Sequence, residues 1–207
     1  MEAAAVSLAE AGPAPAFTRA VEAGRVGMLD TTCPAVHAAL QAAEKGVPFM
    51  PLGGVIGSDI ARHRDDWRVV DDPMGAGGGP ILLVPAIRPD FALIHGWTAD
   101  ADGNVWIGRR REMVSMAHAA RTTLATVERV QAESLLAREA DAAAALPGLY
   151  IGGLAEAPGG ALPQGLADHY AADPAAIADY ARQARTEDGF RAYLESHVLA
   201  PAADAAE

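Results

Sequence analysis

This 207-residue sequence has one cysteine, Cys33, which excludes an intramolecular disulfide and any cysteine-cluster metal site. A lone thiol fits a reducing compartment, so a cytoplasmic location is expected. Cys33-Pro34 precedes a predicted helix with no His-Asn pattern nearby, and an inert thiol is the favoured reading. Basic residues are also few: 16 Lys and Arg stand against 27 Asp and Glu, a net charge of −11. That balance argues against nucleic acid, whose phosphates require a basic face. Every apolar run is far shorter than the ~20 residues that cross a bilayer, and no basic, apolar leader opens the chain. Neither a membrane partner nor secretion is expected. With no Ser/Gly-rich or Pro-rich linker, residues 1–207 are expected to form a single domain. Residues 200–207 and the Ala-rich N-terminus lack anchoring apolar patterns and are expected to be mobile.

Several catalytic signatures are missing too. The six histidines show no HExxH or other ligand spacing, so no metal site is expected. Neither GxxxxGK[ST] nor a helix-opening GxGxxG occurs, and Ser58 lies in IGSDI rather than GxSxG.

The most informative stretch is residues 81–107, ILLVPAIRPDFALIHGWTADADGNVWI. Residues 81–86 and 91–97 read as apolar strands separated by Arg88-Pro89-Asp90, because proline and its preceding residue resist helix. Asp102-Gly103 then predicts a hairpin into Val105-Trp106-Ile107. Upstream, residues 16–23 form a short amphipathic helix stopped by Gly24, and a second helix starts at Pro34 and ends at Gly46. Residues 48–60, PFMPLGGVIGSDI, read as an irregular loop lined by apolar side chains, and residues 71–80 as a second, Gly-rich loop. Downstream come a helix at 112–121, a β-branched strand at 122–127, an Ala-rich helix at 133–145, a short strand at 149–151 and a helical region over 174–198. Strands alternating with helices predict an α/β fold, an open sheet covered by helices.

Candidate site residues follow from this layout. The first loop offers Phe49, Met50, Pro51, Gly57, Ser58 and Asp59 to a ligand, although Ser58 or Asp59 serves equally as the N-cap of a short helix. His95, with Trp97 and Thr98 beyond it, ends the strand where open α/β sheets place ligand crevices; a structural histidine is the plainer reading. Glu10, Asp59 and Glu156 are carboxylates in Gly/Pro-rich surroundings, suited to acid/base or nucleophilic work when half-buried, and otherwise to capping a turn. Arg62-His63-Arg64 and Arg109-Arg110-Arg111 could meet a phosphorylated ligand, or be solvated charge runs.

Four blocks, GVPFMPLGGVIGSDI, PILLVPAIRPDFALIHGWTADADGNVWI, AARTTLATVERV and PGLYIGGLAEAPGGALPQG, together resemble the A (alpha) subunit of family I coenzyme A-transferases, nearest the glutaconate type. The resemblance implies the α/β fold of that subunit, N-terminally shortened, since such subunits carry a further βα-rich portion before the part matched by residues 7–19. It also implies, as partner, a B-type CoA-transferase subunit or a homo-oligomer, with acyl-CoA and carboxylic acid substrates and no permanently bound cofactor; coenzyme A enters as the thioester substrate. The family's nucleophilic glutamate belongs to the B subunit, and no Ser-Glu-Asn-Gly motif of that type occurs here, so the chain alone is expected to be inactive. Two alternatives accompany this reading. Some relatives hydrolyse a ring bond of a cyclic CoA thioester with an A-subunit glutamate, and Glu10 holds a similar place; the chain could also be a non-catalytic assembly subunit.

Overall fold

A computed structural model of the chain describes residues 1–75 and 78–199. The expected mobility of residues 200–207 therefore lies outside the described residues, as do Ala76 and Gly77 of the second Gly-rich loop. In chain order the first half holds β1 (Glu2–Ala3), α1 (Pro15–Glu22), β2 (Leu29–Asp30), α2 (Cys33–Glu44), β3 (Phe49–Leu52), α3 (Asp59–Arg62), β4 (Arg68–Val70), β5 (Ile81–Pro85) and β6 (Phe91–Asp100). Then follow β7 (Val105–Trp106), α4 (Glu112–Ala119), β8 (Thr122–Gln131), α5 (Glu139–Ala142), β9 (Ala145–Leu146), β10 (Ile151–Glu156), α6 (Pro174–Gln183) and α7 (Glu187–His197). The elements gather into two compact units, one of Met1–Leu29 with the chain from Leu162 onward, the other Asp30–Ala161.

In the first unit the N-terminus is tied down rather than loose. The Met1 ammonium donates to the Gly27 carbonyl at 2.7 Å, and Leu29 N–H donates to the Met1 carbonyl at 2.8 Å. Pro15 opens α1, where a missing N–H costs nothing. The predicted C-terminal helical region is two helices. Thr186 interrupts it because its hydroxyl accepts the Gly189 N–H at 3.1 Å, making it the N-cap of α7, as Asp173 caps α6 through the Ala176 N–H at 2.9 Å. Tyr180 meets Phe190 and Tyr193 edge-on, with centroids 6.5 and 5.0 Å away, and these rings close the α6–α7 pair.

The second unit carries two sheets. β3, β5 and β4 form an antiparallel sheet with β5 in the centre. Helix α2, capped by Thr32 and buried along Ala35, Ala38, Ala39 and Ala42, lies against it, and Trp67, Leu82 and Val84 complete that core. The small alanine side chains let the helix approach the sheet closely. The other sheet runs β10-β8-β6-β7-β9: the first three strands are parallel, and β7 and β9 pair antiparallel. The Asp102-Gly103 hairpin is present as expected, with Gly103 at φ +80°, a conformation that favours glycine.

Alternation sorts the five-stranded sheet into two unlike faces. Ala92 and Ile94 of β6, with Thr123, Ala125 and Val127 of β8, are buried, and the Ile94–Ala125–Val127 core packs against Ala117, Met113 and Val114 of α4. On the opposite face Phe91 is 62% exposed, Leu93 71% and Leu124 41%. Pairing of Leu93 with Leu124 and of His95 with Thr126 places all of these on one side.

Several predicted elements shift. Residues 48–60 are not wholly irregular, since Phe49–Leu52 pairs with β5; Pro51 is tolerated because β3 is an edge strand. The two apolar strands of residues 81–97 belong to different sheets. The Ala-rich segment 133–145 is not one helix: a 3-10 turn at Leu135–Ala137, the single turn of α5 and β9 replace it, because Leu135, Ala145 and Leu146 are drawn separately into the core. Gly148–Tyr150 is a 3-10 turn, and the strand starts only at Ile151.

Candidate functional site

His95 does not end its strand as expected; β6 continues to Asp100, so the imidazole stands mid-strand on the less covered face of the sheet. Its Nδ1 lies 2.8 Å from Thr126 Oγ1 and its Nε2 2.7 Å from Glu128 Oε1. Thr126 is the direct register partner of His95, and Glu128 is two residues on along the same face of β8. Glu128 Oε2 accepts the Gly159 N–H at 2.6 Å, which fastens the turn at 157–160 above the pair. Ala157 N–H also donates to the Val127 carbonyl at 2.8 Å, so the turn is anchored at both ends. The side chains of His95 and Glu128 are only 15% and 10% exposed, and Gly160 comes so near that a Cβ there would sit 2.8 Å from His95 Cε1. A hydroxyl, an imidazole and a carboxylate are thus joined in one chain, able to pass or hold a proton.

The sequence-predicted residues fall into three groups. His95, Trp97 and Glu156 belong to the five-stranded sheet. Trp97 shares the face of His95, with the Arg129 guanidinium 5.5 Å from its ring centroid. Glu156 ends β10 and accepts the Val130 N–H. Phe49, Met50, Pro51, Gly57, Ser58 and Asp59 cluster around β3 and α3. There Ser58 takes the capping role: its hydroxyl accepts the Ala61 N–H at 3.3 Å and donates to the Val55 carbonyl at 2.6 Å. Asp59 pairs with Arg62 at 2.7 Å. Val55, at φ +69°, holds a backbone conformation that β-branched residues rarely adopt, so the loop between β3 and α3 is strained. Glu10 alone belongs to the first unit, exposed on the 3-10 turn Ala9–Ala11.

The arginine run after that loop is already committed. The Arg64 side chain is 3% exposed, binds Asp66 through two 2.8 Å hydrogen bonds, donates to the Asp30 carbonyl at 3.1 Å and stacks on Trp67. Hydrogen bonding from Arg64, the largest influence, holds the Asp66 carboxyl below its usual range. Arg62 is paired with Asp59, and Arg111 donates to the Ala143 carbonyl at 2.7 Å.

Glu128 was missed by sequence reasoning. Its signal was there, in the alternation Thr122, Leu124, Thr126, Glu128 on one strand face, but only the β6–β8 register brings it to His95. Among the described residues no group of three or more His, Cys, Asp or Glu is arranged to hold a metal ion.

Comparison with known proteins gives a consistent family. The model of a family described as Coenzyme A transferase matches residues 3–157. The A component of the glutaconate CoA-transferase of Acidaminococcus fermentans is 26% identical over 199 residues, covering 88% of this chain and 62% of that component. The crystal structure of the glutaconate coenzyme A-transferase from that organism superposes with a TM-score of 0.81 at 25% identity, covering 89% of this chain and 63% of the other. The cholesterol ring-cleaving hydrolase IpdA subunit of Rhodococcus jostii is 28% identical, with 89% and 64% covered. A variant of the decarboxylase AibA/AibB superposes with a TM-score of 0.75 at 34% identity, with 89% and 66% covered. The chain thus spans less than two thirds of these relatives' length, and the mixed α/β fold is theirs.

Proposed function

The chain belongs to the coenzyme A transferase family, and we propose that it serves as the A-type component of an acyl-CoA:carboxylate CoA-transferase, shaping part of the acyl-CoA crevice while a B-type subunit supplies the nucleophilic glutamate. The observation that carries this reading is the bare sheet face. Phe91, Leu93 and Leu124 put large apolar surface into solvent beside the His95–Glu128 pair, the arrangement of a surface that a second protein covers. The similar component of the glutaconate enzyme, itself one subunit of a transferase, supports the same reading.

In that assembly the partner's glutamate attacks the acyl-CoA thioester, giving an acyl-glutamyl anhydride and free CoA thiolate. The thiolate then attacks the glutamyl carbonyl, releasing the first acid as its carboxylate; the acceptor carboxylate displaces thiolate from the glutamyl thioester to form a second anhydride, and the thiolate attacks its acyl carbonyl, giving the new acyl-CoA and regenerating the glutamate. Splitting one exchange into steps of this kind is what a covalent carboxylate achieves. This chain's share is the wall of the crevice, from residues 48–60 and the His95 to Thr98 segment, with Glu156 at its edge. No permanently bound cofactor takes part, and the assembly works in the cytoplasm. The test is co-expression with a B-type partner, followed by assay of CoA exchange from an acyl-CoA to a carboxylic acid. A properly assembled pair that performs no exchange overturns the reading.

A second reading rests on a different observation. Glu10 is exposed on the 3-10 turn Ala9–Ala11, whose first residue, Ala9, holds φ +52°, and strained backbone gathers at functional sites. A ring-cleaving hydrolase component is among the similar proteins. Hydrolysis of a cyclic acyl-CoA that disappears on Glu10→Gln, with assembly intact, favours this role over transfer.

A further inference from the structure

Arg129 is held in place by the fold without being neutralised. It follows Glu128 in β8 and is the register partner of Thr98 in β6, where the His95 to Thr98 wall ends. Its guanidinium lies over the Trp97 ring, 5.5 Å from the centroid, and among the described residues it has neither an ion pair nor a hydrogen-bond acceptor. The neighbouring carboxylates of the sheet are engaged elsewhere, Glu128 with His95 and the Gly159 N–H, Glu156 with the Val130 N–H. Arg62 and Arg64 are likewise committed, to Asp59 and Asp66. In a chain with 27 acidic residues against 16 basic ones, an arginine left open is the counter-charge that an incoming anion meets. Stacking on an indole fixes the guanidinium face and leaves its in-plane N–H groups free, a geometry that takes both oxygens of a carboxylate.

We infer that Arg129 selects an acyl group bearing a second carboxylate, which it holds against Trp97 while the reacting carboxyl lies toward the partner's glutamate. The inference rests on the transferase reading for the position of the acyl group. An arginine paired with the reacting carboxylate would lower its basicity and blunt its attack. The distal group takes no part in bond making, so it can stay gripped through every step of the exchange.

The experiment starts with the full chain titrated with glutarate and with its half-amide, which has the same length and a neutral end. The readout is the NMR shift of the Trp97 indole N–H, assigned through Trp97→Phe. Glutarate should saturate that shift and bind about tenfold tighter than the half-amide, equivalent to ~1.4 kcal/mol. Arg129→Gln, at an exposed residue, should erase the difference, and Arg129→Lys, which keeps the charge and loses the fork, should recover only part of it. Arg121→Gln, at a residue paired with Asp90, should leave it intact. Absence of saturation, equal binding of the two acids, or an undiminished difference in Arg129→Gln each overturns the proposal. In the assembled pair Arg129→Gln should lower the kcat/KM ratio of glutarate to half-amide about tenfold, through KM. A loss for the acyl-CoA donor that disappears with the 3′-dephospho form means that Arg129 holds a phosphate, which also overturns it. Exchange without any glutarate preference sinks this assignment alone, whereas a pair that exchanges nothing while glutarate still binds sinks the transferase reading alone.

Discussion

His95 and Glu128 are joined across neighbouring parallel strands, imidazole Nε2 to carboxylate Oε1 at 2.7 Å, and the second oxygen of Glu128 holds the Gly159 N–H at 2.6 Å. The pair therefore links the sheet to the turn that follows β10. Replacing Glu128 with Ala removes the acceptor from a half-buried N–H and should destabilise the chain by about 1–3 kcal/mol. The same variant should speed hydrogen exchange at Gly159 more than at Val127, whose N–H lies in the sheet core. Equal exchange at Gly159 in both proteins would show that the carboxylate does not hold the turn.

Asp100 is a buried carboxylate held by four hydrogen bonds. At 1% exposure it accepts hydrogen bonds from the backbone N–H groups of Asp102, Asn104 and Leu135 and from Asn104 Nδ2, all between 2.8 and 3.0 Å. Burial is the largest single influence and pushes its pKa up, but these donors together outweigh it and hold the carboxyl below its usual range. A carboxyl lowered in the native state contributes in full above its unfolded pKa, and that contribution is lost as pH falls through the native value. Urea midpoints should thus drop below the ordinary carboxylate range, with Asp66 adding in the same direction. Asp100→Ala should cost on the order of 3 kcal/mol at neutral pH and flatten that acid limb.

Gly96 of β6 lies against Val105 and Trp106 of β7. A Cβ there would lie 2.5 Å from Val105 Cγ1 and 2.9 Å from the Trp106 carbonyl oxygen, and the second of these is backbone. Gly96→Ala should destabilise by about 1–3 kcal/mol through overpacking, measurable in thermal unfolding. Ala at the more open Gly27, where a Cβ would meet nothing within 4 Å, serves as the mild comparison.

Leu93, 71% exposed, separates folding from assembly. Leu93→Glu should shift the stability of the isolated chain by no more than about 0.5 kcal/mol, as exposed substitutions do. It should abolish co-purification with a B-type partner, because a charge in an apolar interface is desolvated without a counter-charge. Retained assembly would mean that the partner does not cover this face.

Local chemistry made much of the fold legible. Asp102-Gly103 announced its hairpin and Pro34 its helix start, because each acts within a few residues of itself, whereas Ser58 and Asp59 read equally as ligand or cap and the structure places Ser58 at the N-cap. The Ala-rich segment 133–145 misled for the opposite reason: helix propensity is weak, and burial of Leu135, Ala145 and Leu146 overrode it. In the same way His95 could be singled out by its strand, while Glu128 and Thr126 could not.

The sequence by itself determined the fold class, the family resemblance and the absence of a disulfide framework, since periodicity, turn residues and cysteine count are local or additive properties. Tertiary structure alone decided that β5 and β6 part into separate sheets, that His95 meets Glu128, and that Arg64 is committed to Asp66 and Trp67. Those outcomes depend on strand register and on contacts between distant segments. A register shift of a single residue would turn His95 and Glu128 to opposite faces, and no local signal records that choice.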